Sequence, residues 1–163
     1  MKKIYSLAAV LCFSMVAFAQ TNTEDFESYT VGNFLGNEST TWTTWSGSNG
    51  GADDVLIVDD TAYSGDKSIY FEATTANGGP DDVVLPFGAQ YTTGDFDFSM
   101  MMFVESGTGA YFNFQAATTI GQEWALECAM SQTGDITLSN TGGTLLAATY
   151  TPGQWVELSL IHI

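Results

Sequence analysis

Carboxylates are the first side chains of this sequence to consider for catalysis, because they outnumber every other titratable group. The 163 residues hold 19 Asp and Glu against three Lys and Arg, and the formal net charge is −16. Glycosidases hold two carboxyl groups roughly 5 to 9.5 Å apart. On a strand, Asp95 and Asp97 would lie about 6.6 Å apart, whereas Glu123 and Glu127 would lie about 13 Å apart. The aspartate pair fits the distance and the glutamate pair does not, so glycoside hydrolysis stays an alternative without a convincing motif.

Other catalytic chemistry finds little support in the composition. A serine or cysteine nucleophile needs a base, and the one histidine, His162, lies in the last six residues. Zinc sites need clusters of Cys and His, which the sequence lacks. Cys128 alternates with Trp124, Leu126 and Met130, so we expect it to be a small buried hydrophobe beside them. The sequence therefore predicts no catalytic residue and indicates a protein that is not an enzyme.

Aromatic and amide side chains are the candidates for binding a neutral ligand. Trp42 and Trp45 lie three residues apart in a stretch rich in Ser, Thr and Gly. Tyr111, Asn113 and Gln115 alternate along a predicted strand and share one face. Exposed rings offer flat contact area and amides supply hydrogen bonds, so we expect these five residues to line a shallow sugar groove. Two alternatives stay open, namely tryptophans buried over the core and a merely solvated sheet face.

Calcium is the metal that the sequence favours, because oxygen ligands are abundant. The acidic pairs 53–54, 59–60 and 81–82 all fall where a predicted loop meets a predicted strand. Carboxylates and loop carbonyls could converge there, although no pair belongs to an EF-hand loop. The alternative is that these acids only solvate the loops.

The first residues are typical of a secretory signal. Lys2 and Lys3 precede an apolar run that ends in Ala17-Phe18-Ala19. The run is shorter than the ~20 residues that span a bilayer. We expect residues 1–19 to be removed, no membrane insertion afterwards, and a secreted protein that is extracellular or at the cell surface. The mature chain then keeps Lys67 alone against all the acids, and such a surface repels nucleic acid.

Short runs of β-branched and aromatic residues, separated by Gly, Asn, Asp and Ser, make up the rest of the chain. No run has the 3.6-residue period of a helix, so the sequence predicts an antiparallel all-β sandwich in a single domain. In 95–105 the alternate residues from Phe96 to Val104 are apolar, and Met101 and Phe103 make the opposite face apolar in its middle. We expect a central strand that is partly covered on both faces. The predicted strands are 54–58, 68–73, 82–87, 95–105, 110–116, 123–130, 135–138 and 144–150.

Four stretches carry a resemblance to a known family: "TEDFESYTVGNFLG", "WTTWSGSNGGADDVLIVDDTAYSGDKSIYF", "FSMMMFVESGTGAYFNFQ" and "GQEWALECAM". They resemble the LamG-like, concanavalin A-like jelly-roll modules of secreted bacterial multidomain proteins, many of them exported by the type IX route. The resemblance implies a jelly roll over residues 20–157, adhesion or glycan binding, further domains, and no reaction. Its calcium-containing relatives imply Glu27, in a first strand, and Asp66, in the following Ser-Gly-Asp loop, as metal ligands.

The last residues, "LSLIHI", have an explanation outside the protein. CTG TCT CTT ATA CAC ATC encodes them, and that string is the transposon end used in tagmentation sequencing libraries. We expect residues 158–163 to be translated adapter, and the jelly roll to be incomplete at its C-terminus with an unpaired edge that favours aggregation. A genuine apolar strand end is the alternative.

The functional expectation is a non-catalytic extracellular module of a larger secreted protein that binds carbohydrate or matrix and serves adhesion. Its partner would be a glycan or an extracellular matrix ligand, with structural calcium as the one cofactor to consider. Two alternatives remain, namely a structural spacer domain without a ligand and a carbohydrate-active glycoside hydrolase.

Overall fold

A computed structural model describes residues 21–72, 79–88 and 93–162, the last of them by its backbone alone. The expected signal segment 1–19 lies outside these residues. The described chain is nearly all-β, with antiparallel sheets and one four-residue helix. In chain order its elements are α1 (Leu35–Glu38), β1 (Thr43–Thr44), β2 (Leu56–Val58), β3 (Ser68–Tyr70), β4 (Val83–Val84), β5 (Phe96–Phe103), β6 (Ala110–Gln115), β7 (Trp124–Met130), β8 (Asp135–Asn140), β9 (Gly143–Thr149) and β10 (Trp155–His162).

The largest sheet is an antiparallel meander of four strands in the order β6-β7-β8-β9. Short turns join β7 to β8 and β8 to β9, a longer loop joins β6 to β7, and the β7–β8 turn depends on Gly134. This glycine has φ of +93°, and a Cβ atom there would lie 2.6 Å from the carbonyl oxygen of Tyr150. Because the turn passes so close to the backbone that follows β9, only glycine fits without a shift.

Strands β5 and β10 form a second antiparallel ladder, which runs from the pair Trp155–Phe103 to the pair His162–Phe96. Leu158–His162, the predicted adapter residues, belong to this strand. The ladder packs on the four-stranded sheet through a core of buried Val104, Cys128, Met130 and Ile136. The prediction of an all-β antiparallel sandwich is therefore confirmed, and the expected burial of Cys128 is confirmed as well. The jelly-roll winding stays a prediction.

Strand β5 differs from the expectation in its position within the sheet. The predicted inner face does meet the opposite sheet, because the Phe98 ring lies 5.0 Å from that of Phe114. The prediction of a central strand is wrong for the described residues, in which β10 is the strand neighbour of β5. The apolar middle of the outer face has another cause. Phe103 contacts Trp155 across the ladder at 5.5 Å, and Tyr63 covers Trp155 at 5.7 Å.

The first third of the described chain forms a smaller core around β2. Leu35, Val55 and Ile57 are completely buried there. Strand β2 pairs with β3, and β1 pairs with β4. A buried carboxylate, Asp54, accepts hydrogen bonds from the backbone N–H groups of Gly36 and Gly50. This carboxylate ties the α1 turn and the 49–51 loop to β2.

Candidate functional site

One exposed face of the four-stranded sheet collects four of the five predicted ligand-binding residues. Along β6 the rings of Phe112 and Phe114 pack toward β5, so Tyr111, Asn113 and Gln115 point away from the core. Strand β7 adds the residues paired with them, and a ring from the N-terminal part packs at the end of the row. We call this surface the aromatic–amide face, and its members are Trp45, Tyr111, Asn113, Gln115, Trp124 and Glu127.

Hydrogen bonds order the polar side chains of this face into a row. The backbone N–H of Gly121 donates to Oε1 of Gln115 at 2.6 Å, and Nε2 of Gln115 donates to Oδ1 of Asn113 at 3.1 Å. At the other end, the hydroxyl of Tyr111 donates to Oε1 of Glu127 at 2.8 Å. Linked hydrogen bonds of this kind fix side-chain positions before any ligand arrives.

The hydroxyl of Tyr111 is held in its neutral form. Partial burial, the hydrogen bond to Glu127 and the charge of that carboxylate raise the pKa of Tyr111 to about 12. Hydrogen bonds from the side chains of Asn113 and Trp124 act in the opposite direction and are outweighed. The ring of Tyr111 is 53% exposed. The face therefore presents an accessible ring whose hydroxyl stays protonated at physiological pH.

Two tryptophans close one end of the face. The rings of Trp45 and Trp124 lie 6.3 Å apart with 35° between their planes. They are 37% and 36% exposed, so part of each ring remains open to solvent. Gly121 makes room for Trp45, because a Cβ atom there would lie 2.8 Å from Cζ2 of the indole. The backbone N–H of Trp45 also donates to the carbonyl of Asp82 at 2.9 Å, which fixes the strand that carries the ring.

Trp42 is the predicted ligand-binding residue that the structure does not bring to this face. Residues three apart on an extended chain point to opposite sides, and Trp42 packs on Phe26 at 6.5 Å while Trp45 packs on Trp124. Nε1 of Trp42 is buried without a hydrogen-bond acceptor among the described residues. The two tryptophans are an odd number of positions apart, and this spacing is the feature of the sequence that indicates opposite directions for their rings.

Trp124 and Glu127 are members of the face that the sequence did not identify as ligand-binding. Simple alternation placed Trp124 beside Cys128 in the core, and this is wrong. A register shift between Phe114 and Gln115 pairs Phe114 with Leu126 but Gln115 with Trp124. One residue of β7 is skipped, and such a bulge reverses the direction of the side chains beyond it. Trp124 therefore lies on the outer face.

The structure brings together the two predicted calcium ligands, but in a different arrangement. Glu27 lies in a turn rather than in a first strand. Its Oε1 accepts hydrogen bonds from the backbone N–H groups of Asp66 at 2.9 Å and Lys67 at 2.8 Å. The ammonium of Lys67 donates to the carbonyls of Glu27 at 2.9 Å and Tyr29 at 2.6 Å. The described residues contain no group of three or more potential ligand side chains that could hold a metal ion.

In the other acidic pairs, the carboxylates of Asp53 and Asp81 accept hydrogen bonds from nearby residues. Asp53 accepts from the backbone N–H and the hydroxyl of Ser46 at 2.8 and 3.0 Å. Burial acts to raise the pKa of Asp53, but these hydrogen bonds outweigh it and lower the pKa. Asp81 accepts from the backbone N–H of Glu72 at 2.7 Å. These carboxylates hold together the loop segments beside the smaller core.

No family model, no curated protein and no solved structure matches this chain. Within residues 21–72, 79–88 and 93–162, no helix is long and apolar enough to cross a membrane.

Proposed function

We propose that this chain is a non-catalytic, extracellular carbohydrate-binding module of a larger secreted protein, with its ligand on the aromatic–amide face. One observation carries the proposal. Four of the five residues that the sequence predicts for sugar binding lie on one exposed surface, and Trp124 and Glu127 lie beside them there. The resemblance to LamG-like modules supports the same function.

The chemistry of the face suits a sugar. A sugar ring has apolar C–H surfaces that lie well on flat aromatic rings, and hydroxyl groups at its edge that need hydrogen-bond partners. The face supplies three partly exposed rings, from Tyr111, Trp124 and Trp45. Asn113 and Gln115 supply amide donors, and Glu127 has a second oxygen that can accept. This combination of rings beside a fixed polar row favours a carbohydrate over a purely apolar ligand.

Length and charge narrow the ligand class. The three residues of β6 span about 13 Å from Tyr111 to Gln115 at ~3.3 Å per residue, and the two tryptophans extend that row. A surface of this length suits an oligosaccharide or a polysaccharide chain. The net charge of −16 disfavours sulfated or uronic-acid polymers, because like charges repel across the whole surface. We therefore propose a neutral glycan.

The arrangement supports binding without hydrolysis. Glycoside hydrolysis uses two carboxyl groups that flank the bond. Glu127 is the one carboxylate among the six residues of the face, and it accepts the hydroxyl of Tyr111. We propose that Glu127 orients Tyr111 and accepts sugar hydroxyls.

A glycan array with neutral polysaccharides, followed by titration of the best ligand, tests the proposal. Tyr111→Ala and Trp124→Ala should each weaken binding more than fivefold, as central aromatic contacts do. Tyr63→Ala is the matched control, because Tyr63 is 58% exposed, Tyr111 is 53% exposed, and Tyr63 lies over Trp155 on the other sheet. Its affinity should equal that of the wild type.

Two further measurements separate the alternatives. The array is repeated with a chelator, and loss of binding there would show that calcium contributes. Reducing-sugar release from the bound polysaccharide tests hydrolysis. An array without any bound glycan under either condition would overturn the proposal and leave the spacer domain.

A further inference from the structure

A cleft in the smaller core, distant in sequence from the four-stranded sheet, has a chemistry that sugar binding does not use. It has a volume of about 310 Å³. Leu56 and Tyr70 are cross-strand partners on β2 and β3 and so face the same side, while Ile57 on the opposite side is completely buried. We call this the acidic cleft, and its lining includes Phe34, Leu56, Tyr70, Glu72, Pro80 and Asp81. Asp54 also lines it, with a carboxylate that already accepts backbone hydrogen bonds.

The floor of the acidic cleft is apolar and open. Leu56 is 39% exposed and Tyr70 is 43% exposed, although both belong to a paired hairpin. Phe34 forms a β-bridge with Leu56 and continues the apolar surface. Large apolar side chains left exposed beside one another in a concavity are typical of a small-molecule site.

Carboxylates form the rim. The backbone N–H of Glu72 donates to Oδ2 of Asp81 at 2.7 Å, which holds the Asp81 carboxylate against the backbone of Glu72, and both residues line the cleft. Lys67 is the one lysine of the described residues, and its ammonium is held by the carbonyls of Glu27 and Tyr29. Among the described residues, no lysine therefore neutralises the carboxylates of this rim.

Negative charge extends around the ring of Tyr70. Burial raises the pKa of its hydroxyl, and so do the charges of Glu105, Glu72, Asp81 and Asp60. Two of these four carboxylates, Glu72 and Asp81, line the cleft together with the ring. Anions are repelled from such a place, while a cation is attracted both by the carboxylates and by the ring face.

We propose that the acidic cleft binds a small organic ammonium ion, with the cation over the ring of Tyr70 and between Glu72 and Asp81. The apolar floor decides between an organic and an inorganic cation. Methyl or methylene groups around the nitrogen can rest on Leu56, Phe34 and Pro80, whereas a hydrated metal ion gains nothing from them. A volume of about 310 Å³ lies within the range of small-ligand pockets.

The test uses choline as the probe and 3,3-dimethyl-1-butanol, its uncharged carbon analogue, as the matched control. Binding to the full chain is followed by nuclear magnetic resonance of the Tyr70 ring and the Leu56 methyl groups. Choline should shift these signals in a saturable manner, and the alcohol should not. Calcium chloride added in place of choline should leave the Leu56 methyl signals unchanged.

Two variants assign the interaction. Glu72→Gln removes an exposed rim charge, and Tyr70→Leu removes the ring while keeping an apolar side chain. Each should weaken choline binding about two- to fivefold, the effect expected of one partly exposed charge or one cation–π contact. Glu123→Gln, which removes an exposed carboxylate directly before β7, should leave the affinity unchanged.

Three results would overturn the proposal. They are equal shifts with the uncharged alcohol, no shift of Tyr70 and Leu56 with choline, and unchanged choline affinity in both cleft variants. Because the glycan titration uses other residues, failure here leaves the carbohydrate proposal untouched.

Discussion

Asp54→Asn should destabilise the smaller core strongly, although it changes the side-chain volume very little. Asp54 is 3% exposed. Its Oδ2 accepts from Gly50 at 2.7 Å and its Oδ1 accepts from Val55 at 2.9 Å, while Gly36 donates to both oxygens at 3.1 Å. Asparagine keeps one oxygen and places an NH₂ group, itself a donor, against the remaining N–H groups.

The magnitude follows from these contacts. At least one hydrogen bond to a charged acceptor is lost, which costs about 1.5 to 3 kcal/mol, and a backbone N–H is left facing a donor, which adds about 1 kcal/mol or more. We expect the free energy of unfolding to fall by about 2.5 to 4 kcal/mol. Against a typical total of about 5 to 15 kcal/mol, this loss is a large share of the stability.

Urea unfolding followed by tryptophan fluorescence measures the change. Asp59→Asn is the matched control, because Asp59 is the same residue type, is exposed and lies only five positions further along the chain. It should change the free energy of unfolding by less than about 0.5 kcal/mol. If Asp54→Asn were equally mild, the carboxylate would not be the anchor of α1 and the 49–51 loop, and our account of the smaller core would be refuted.

Three further predictions concern the sandwich and its outer face. Burial raises the pKa of the Cys128 thiol, so Cys128 should react with a disulfide reagent about tenfold or more slowly in the native protein than in urea; equal rates would contradict its burial. Ultraviolet titration should find a Tyr111 pKa of about 12, and Glu127→Gln should lower this pKa, because the negative charge of the acceptor is gone although the glutamine oxygen can still accept. Since the unfolded phenol ionises near pH 10, this tyrosine should reduce stability as pH rises from about 10 to about 12, and a titration unaffected by Glu127→Gln would refute the influence of the Glu127 charge on Tyr111. Gly121→Ala should push Trp45 away from Trp124, weaken glycan binding and change tryptophan fluorescence, whereas an unchanged spectrum and affinity would show that the rings do not need this glycine.

The strands of the larger sheet illustrate how far local pattern reaches. Alternation in 110–116 predicted β6 and both of its faces, because the direction of each side chain in a strand depends only on its position along that strand. The same reasoning failed for Trp124, since the bulge opposite Gln115 is a property of the β6–β7 pairing. Strand β1 was not predicted at all, because its two residues gain their extended form from pairing with β4.

The candidate site also combines residues that the local pattern predicted with residues that only strand pairing and packing brought in. Tyr111, Asn113 and Gln115 were predicted together because they share one strand. Trp45 joined them only through the packing of the β1 segment against Trp124 and Gly121. Glu127 entered because it lies opposite Asn113 in the β6–β7 ladder.

The sequence by itself determined the all-β class, the acidic composition and the direction of the side chains along β5 and β6. These depend on composition and on a period of two residues, both of which are local. The tertiary structure alone decided which tryptophan lies on the aromatic–amide face, which acids anchor loops and which form the rim of a cleft. Those outcomes depend on which distant segments come together, and the residues of a single segment do not encode the position of their partners.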